Sequence, residues 1–311
     1  MRICDFLFVL RPVILIPAWS FFLLGVSAAS NTPLGPRWTL PPMVPFACLT
    51  AILITAYLLN QVFDRESDEK NDKCPFLTRG VFKTRTVVLM AVVFFLAASH
   101  LFHRTDPEVR VALFLALLLS LLYSVPPVRL CARPFLDLLA NAIGYGGVAF
   151  VIGYNTSDAS ISRGAWIATP YMFLVASTFL HTTVLDVEGD RAANKISTTV
   201  LIGVNRSVIL AAVLHVLAVA AAILTASPTA VAITAVSLPV TAVAAIKPST
   251  RMSSFVIQAN TLIVTLAAVA TRPLYLTLVF PLIWLSRYYH SRRFGIMYPG
   301  PGSSRDRETP V

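Results

Sequence analysis

Charge is what this chain has least of. Only 13% of its 311 residues are Asp, Glu, Lys or Arg, about half the share in an ordinary soluble domain. Hydrophobic residues make up 56% and the mean hydropathy is +0.74, which excludes a water-soluble enzyme. Cysteine is scarce too: Cys4, Cys48, Cys74 and Cys131 show no CxxC spacing and no neighbouring histidine, so neither a zinc centre nor a disulfide framework is indicated. Acidic residues are the rarer charge, 15 against 25 basic ones for a net +10. The basic residues fall between apolar blocks and not along one soluble face, which argues for membrane topology and against nucleic-acid binding.

What the chain does contain is a series of apolar blocks long enough to cross a hydrocarbon core as helices, which takes roughly 20 residues. They lie at about 6–28, 43–63, 84–103, 110–124, 134–153, 164–185, 206–226, 228–246, 255–271 and 273–290. The expected fold is all-α, a polytopic transmembrane helical bundle of nine helices, with a tenth after the break at Arg272-Pro273. The first block carries Arg2, Asp5 and Arg11 and ends without a small-residue cleavage site, so it reads as a retained helix and not a signal peptide. Loops after the second, fourth, sixth and eighth blocks, with their bordering turns, hold 13 Lys and Arg, whereas those after the odd blocks hold four. By the positive-inside rule the even loops and the N-terminus face the cytoplasm. Arg287, Arg292, Arg293, Arg305 and Arg307 follow the last apolar block and would resist export, which favours the tenth crossing. Residues 1–295 read as a single membrane-embedded domain, and 296–311, rich in Pro, Gly and Ser, as a disordered tail.

The chain also repeats itself. Asp64, Glu66, Asp68 and Lys73 in FDRESDEKNDK recur as Asp186, Glu188, Asp190 and Lys195 in LDVEGDRAANK, 122 residues later. The same offset carries Arg11-Pro12 onto Arg133-Pro134. The implied architecture is two parallel four-helix repeats, about 6–124 and 134–246, followed by the C-terminal helices at about 255–290. Parallel repeats about an axis along the membrane normal would bring both acidic motifs to one side and face them across the bundle. If the helix continues past the membrane boundary, Asp64 and Asp68 lie one turn apart on one face, and Asn60 extends that stripe inward. Like charges at this spacing repel, and a bound cation relieves the repulsion. Four carboxylates, Asp64, Asp68, Asp186 and Asp190, with Asn60, form a hard oxygen-rich set suited to Mg²⁺, which completes its shell with waters and substrate phosphates. A phosphorylated substrate is therefore expected, with Lys73, Arg79 and Lys195 as the cationic complement to a diphosphate.

Polar residues at membrane depth are costly and face a cavity or a partner. The fifth block supplies Asp137, Asn141 and Tyr145 at i, i+4 and i+8, which read either as a substrate-facing stripe or as interhelical hydrogen bonding. Gln258 and Asn260, and Thr178, His181, Thr182 and Thr183, carry the same two readings. The loop YSVPPVRLCARP, with Tyr123 and Arg129, lies on the side of both acidic motifs and either closes over the site or is a tight turn.

These residues resemble a family. NQVFDRESD, with Asn60, Asp64 and Asp68, is similar to the NxxxDxxxD motif of the UbiA superfamily of intramembrane prenyltransferases, and LDVEGD, with Asp186 and Asp190, to its second DxxxD motif. Arg79-Gly80 and the YSxPPxR loop extend the likeness, which runs from the first span to the ninth. The chain departs from the pattern at KCPFLTRG, where an Arg-Pro-x-x-x-Gly segment is frequent, at Thr182-Thr183, where an acidic residue often precedes the second motif, and at Asn194, where glycine is common. The resemblance implies that Asp64, Asp68, Asp186 and Asp190, with Asn60, hold Mg²⁺ on the diphosphate of an isoprenyl donor. Lys73, Arg79 and Lys195 then neutralise the remaining charge, and a lipophilic or aromatic acceptor takes the prenyl group within the bilayer. The competing readings are a divalent-cation transporter, a diverged isoprenoid-binding protein without turnover, and a membrane CDP-alcohol phosphotransferase, whose DGxxAR continuation is missing here.

Overall fold

The computed structural model describes residues 3–29, 36–157, 160–296 and 298. Among them every regular element is helical. Among the described residues nine helices are long and apolar enough to cross a membrane: α1 (Ile3–Ala28), α2 (Met43–Phe63), α5 (Thr84–Phe102), α6 (Pro107–Ser124), α7 (Leu136–Ser157), α8 (Ile161–Ala192), α10 (Val204–Leu224), α11 (Pro228–Ile246) and α12 (Thr250–Thr271). Short helices α3 (Arg65–Lys70) and α4 (Pro75–Thr78) follow α2, and α9 (Thr198–Ile202) follows α8. The last helix, α13 (Leu276–Phe294), starts after a single 3₁₀ turn at Pro273–Tyr275.

The expected break at Arg272-Pro273 is present, because proline supplies no N–H to continue α12. Its consequence is a separate last helix, α13, which runs back along the bundle but is not among the nine apolar enough to cross a membrane. At one end Arg37 N donates to Thr271 O at 3.0 Å and Arg272 Nη1 to Thr39 O at 3.2 Å. At the other end Arg79 Nη1 donates to Phe294 O at 3.1 Å, and Arg293 pairs with Asp5 at 3.3 Å. The start of α1 and the end of α13 therefore share one end of the molecule. Arg287, Arg292 and Arg293 lower the hydropathy of α13 without shortening it.

Helices α1, α7, α8 and α12 pack consecutively around the centre, with α2, α5 and α6 on one flank and α10 and α11 on the other. Apolar side chains alone give little directional force between helices in lipid, so close backbone approach matters. Gly25 on α1 and Gly153 on α7 provide it: a Cβ on Gly25 would lie 2.1 Å from Phe150 O, and one on Gly153 2.0 Å from Phe22 O. Helix α7 widens into a π turn over Ala142–Val148, an irregularity that rotates the residues on either side relative to one another. The expected disordered tail lies outside the described residues except for Ile296, which is buried, and Tyr298, which is partly buried.

Candidate functional site

The first acidic motif meets the condition of a continuing helix only in part. Helical geometry lapses at Asp64 (φ −98°, ψ 13°), and α3 restarts at Arg65. The Asp68 N–H still reaches Asp64 O at 2.8 Å, so the two carboxylates stay one turn apart across a bend. The second motif lies on the unbroken end of α8, which runs to Ala192, past the end at 185 expected from hydropathy. Polar residues stop an apolar count but not a helix whose exposed turns are solvated.

Each motif ends in the same hook. Lys73 N donates to Asp68 O at 2.7 Å and Lys195 N to Asp190 O at 2.8 Å, with Asp72 (φ 52°) and Asn194 (φ 53°) left-handed just before them. Asparagine tolerates that conformation almost as glycine does, which accounts for Asn194.

The lysines then cross over. Lys73 pairs with Asp186, while Lys195 lies 3.2 Å from Asp64 Oδ2 and 3.5 Å from Asp190 Oδ1. Burial works against both ammonium groups, but the carboxylates outweigh it and hold each lysine above its ordinary range. Asp64 is buried, accepts from Asn60 Nδ2 at 2.9 Å and from Arg129 Nη2 at 2.7 Å, and lies 3.8 Å from the Cys131 thiol. Asp190 accepts from Ser67. Asn71 stitches the motifs together, donating to Asp186 O at 3.4 Å and accepting from Gly189 N at 3.1 Å. A Cβ at position 189 would meet the Asn71 amide at 2.2 Å and displace it from these bonds.

Asp68 stands apart from these pairs. Its Oδ2 is buried without a hydrogen-bond partner, and burial pushes its carboxyl up against the pull of Arg11, Cys74 and Lys73. Among the described residues no three acidic, thiol or imidazole side chains converge as a closed metal cage. Lys73, Lys195 and Arg129 instead stand among the carboxylates.

Two expected site residues have other tasks. Asp137 is buried and accepts from Leu138 N at 2.8 Å, from Thr198 N at 2.8 Å and from the Thr198 hydroxyl. It thereby satisfies the start of α9, whose first N–H groups have no partner within the helix. Arg79 spends its guanidinium on Phe294 O, on Asp72 at 3.4 Å and on the face of Phe294. Tyr123 and Asn141 do approach the site: they neighbour each other, and Tyr123 also neighbours Lys195 and Asp64. Gln258 and Asn260 line the cavity described next, where Asn260 donates to Thr178 Oγ1 at 2.8 Å.

Below the acidic cluster lies a cavity of about 750 Å³, bounded mainly by α1, α8, α12 and α13. Its polar end carries Arg11, Gln61, Lys73, Asn141 and Tyr145, and its long wall is apolar, with Phe21, Leu174, Val175 and Val269. Leu266 and Phe280 line it while remaining largely exposed on the outer surface, so the cavity reaches the side of the bundle. Sequence reading gave Arg11 no part in the site and missed Ser67 and Asn71. The last two follow Asp64 at helical spacing and were legible as a continuation of its face.

Residues 18–254 match the UbiA prenyltransferase family. A lycopene elongase/hydratase of Corynebacterium glutamicum is 32% identical over 173 residues, covering 53% of this chain and 59% of that protein. A digeranylgeranylglyceryl phosphate synthase of Halobacterium salinarum is 32% identical over 168 residues, covering 52% of this chain and 57% of that protein. The matched segment thus spans under two thirds of these relatives. The structure of a UbiA homologue from Archaeoglobus fulgidus bound to DMAPP and Mg²⁺ superimposes with a TM-score of 0.67 at 19% identity, covering 84% of this chain and 99% of that one. The same homologue bound to GPP and Mg²⁺ gives 0.66.

Proposed function

The chain belongs to the UbiA prenyltransferase family, and from that premise we propose that it transfers a prenyl group from an isoprenyl diphosphate to a lipophilic acceptor within the membrane, with Mg²⁺ at Asp64, Asp68, Asp186 and Asp190. The observation that carries this reading is four carboxylates and crossed lysines that meet an apolar cavity of about 750 Å³ at Lys73. The unpartnered Asp68 Oδ2 and the Asn60–Asp64 pair offer the hard oxygen donors that Mg²⁺ prefers. Bound there, Mg²⁺ would neutralise the diphosphate and stabilise the charge it gains as it leaves.

The chain's own residues do the rest. Lys73, Lys195 and Arg129 each hold a carboxylate and carry charge that can turn toward phosphoryl oxygens. Their attraction grows as the allylic C–O bond stretches and its electron pair moves onto the diphosphate, so they favour the transition state over the ground state. The apolar wall keeps water from the allylic cation until the acceptor attacks. Asn141 and Tyr123 sit between cluster and cavity, placed to orient the reacting ends. The matching hooks and crossed lysines at a spacing of 122 residues support a parallel duplication, and the basic loops beside the motifs support a cytoplasmic opening. Transport fits less well, because the aspartates stand at helix ends and not on broken helices at mid-membrane.

The acceptor test incubates purified protein in lipid nanodiscs with geranyl, farnesyl and geranylgeranyl diphosphates. Carotenoid, phenolic, quinone-precursor and glycerol-phosphate acceptors are offered together, and products are read by mass spectrometry. One acceptor class gaining prenyl mass in Mg²⁺ and not in chelator identifies the branch. Donor binding with no product from any class would overturn turnover in favour of binding alone.

A further inference from the structure

The end of α13 returns to the cavity. Gly295 adopts φ 68°, a left-handed turn that glycine makes without steric cost, and the chain doubles back. Ile296 is buried at 7% exposure, and the Tyr298 ring packs 4.6 Å from His290. His290 is itself wedged among Phe8, Phe76 and Phe294. This aromatic cluster joins the N-terminal helix, the segment just after Lys73 and Cys74, and the last helix.

Ile296 and Tyr298 line the same cavity as Arg11, Lys73 and Cys74. The Tyr298 hydroxyl is buried and has no hydrogen-bond partner of ordinary geometry, although it faces the Arg11 guanidinium. The guanidinium can only donate to the phenol oxygen, so the phenol's own proton has no acceptor, and a substrate oxygen in the cavity would supply one. The ring lines the cavity beside Arg11 and packs on His290.

Resting on the prenyl-transfer reading, we infer that Tyr298 closes the polar end of the catalytic cavity, its ring excluding water from the reacting carbon and its hydroxyl bonding a bound substrate. In the side reaction it suppresses, the donor's allylic C–O bond breaks with its electron pair going to diphosphate. Water then bonds to that carbon and gives up one proton to the diphosphate, yielding a prenyl alcohol.

The test compares the wild-type chain with Tyr298→Ala, Tyr298→Phe and, as control, Tyr288→Ala, whose ring lies exposed on α13. Prenyl alcohol and transferred product are quantified together. Tyr298→Ala is expected to raise the alcohol-to-product ratio about 10-fold, while Tyr298→Phe keeps the ratio low and raises the KM of a substrate about 5-fold, the loss of one hydrogen bond. A second readout needs no turnover: alkylation of the cavity-lining Cys74 by N-ethylmaleimide, followed by peptide mass spectrometry. Tyr298→Ala should speed that labelling severalfold relative to wild type and Tyr288→Ala. Unchanged Cys74 labelling in Tyr298→Ala overturns the inference, as does an unchanged alcohol-to-product ratio in an active protein. If the wild type turns over no donor, the prenyl-transfer reading fails, and the labelling alone decides whether Tyr298 closes the cavity.

Discussion

Replacing Lys195 by methionine removes a charge and keeps the volume. Lys195 is 16% exposed and lies 3.2 Å from Asp64 and 3.5 Å from Asp190, whose side chains are 6% and 3% exposed. At these distances each attraction is worth about 5 kcal/mol in an effective dielectric of about 20, before the cost of desolvating the ions. That cost cancels part of the sum, and breaking a buried ion pair from one side costs about 3 kcal/mol net. For a chain of this size the loss corresponds to a fall of about 6 °C in Tm. On the proposed reading a divalent cation takes over the task of neutralising the carboxylates, so saturating Mg²⁺ should recover much of the loss, about 2.7 kcal/mol at 100 times its Kd. The assay is thermal unfolding of the Lys195→Met protein in detergent at neutral pH, in EDTA and in a Mg²⁺ titration, beside wild type. Equal melting temperatures in EDTA would refute the view that Lys195 neutralises the paired motifs. A deficit that Mg²⁺ leaves untouched would refute the view that the metal occupies the same electrostatic site.

Other expectations follow from particular contacts. Gly189→Ala drives a Cβ into Asn71, breaking its bonds to Asp186 and Gly189, so turnover should fall about 10-fold with a smaller change in Tm, about 1–2 kcal/mol in stability. Gly153→Ala collides with the Phe22 carbonyl and should cost about 3 kcal/mol or more, read as poor recovery of folded protein on size-exclusion chromatography. Asp137→Asn should lower Tm while leaving the donor KM within about twofold of wild type, because its carboxylate serves the start of α9; a large KM change would return it to the substrate site. Arg79→Ala should likewise change kcat less than about threefold, since the guanidinium ties Asp72 to the end of α13, whereas an Arg129→Ala variant, losing its bond to Asp64, should be much slower.

The helices were legible because hydrocarbon length and helical rise fix how long an apolar block must be, and the observed ends fall within a few residues of those read from composition. The exception is α8, whose last turns carry the charged residues that ended the count. Both acidic motifs, and the side of the bundle they share, were legible from spacing. Which lysine meets which aspartate was not, because Lys73 finds Asp186 and Lys195 finds Asp64 across the bundle, and local spacing carries no information about a cross-bundle partner. Asp137 was ambiguous for a related reason: a buried carboxylate serves a substrate or a helix start equally well, and the Thr198 contact that favours the second is invisible in local spacing. The return of Tyr298 to the cavity was hidden within a segment whose Pro, Gly and Ser content reads as disorder.

The central claim is that the paired acidic motifs, loaded with Mg²⁺, make diphosphate a leaving group inside the membrane. Its most direct test is diphosphate release from geranylgeranyl diphosphate by purified wild type, Asp68→Asn and Asp190→Asn proteins in nanodiscs with the mixed acceptors, with Mg²⁺ and with EDTA. Release by wild type in Mg²⁺ alone and a loss of at least about 100-fold in either variant are expected. Full Mg²⁺-dependent release by Asp68→Asn or Asp190→Asn would contradict the claim.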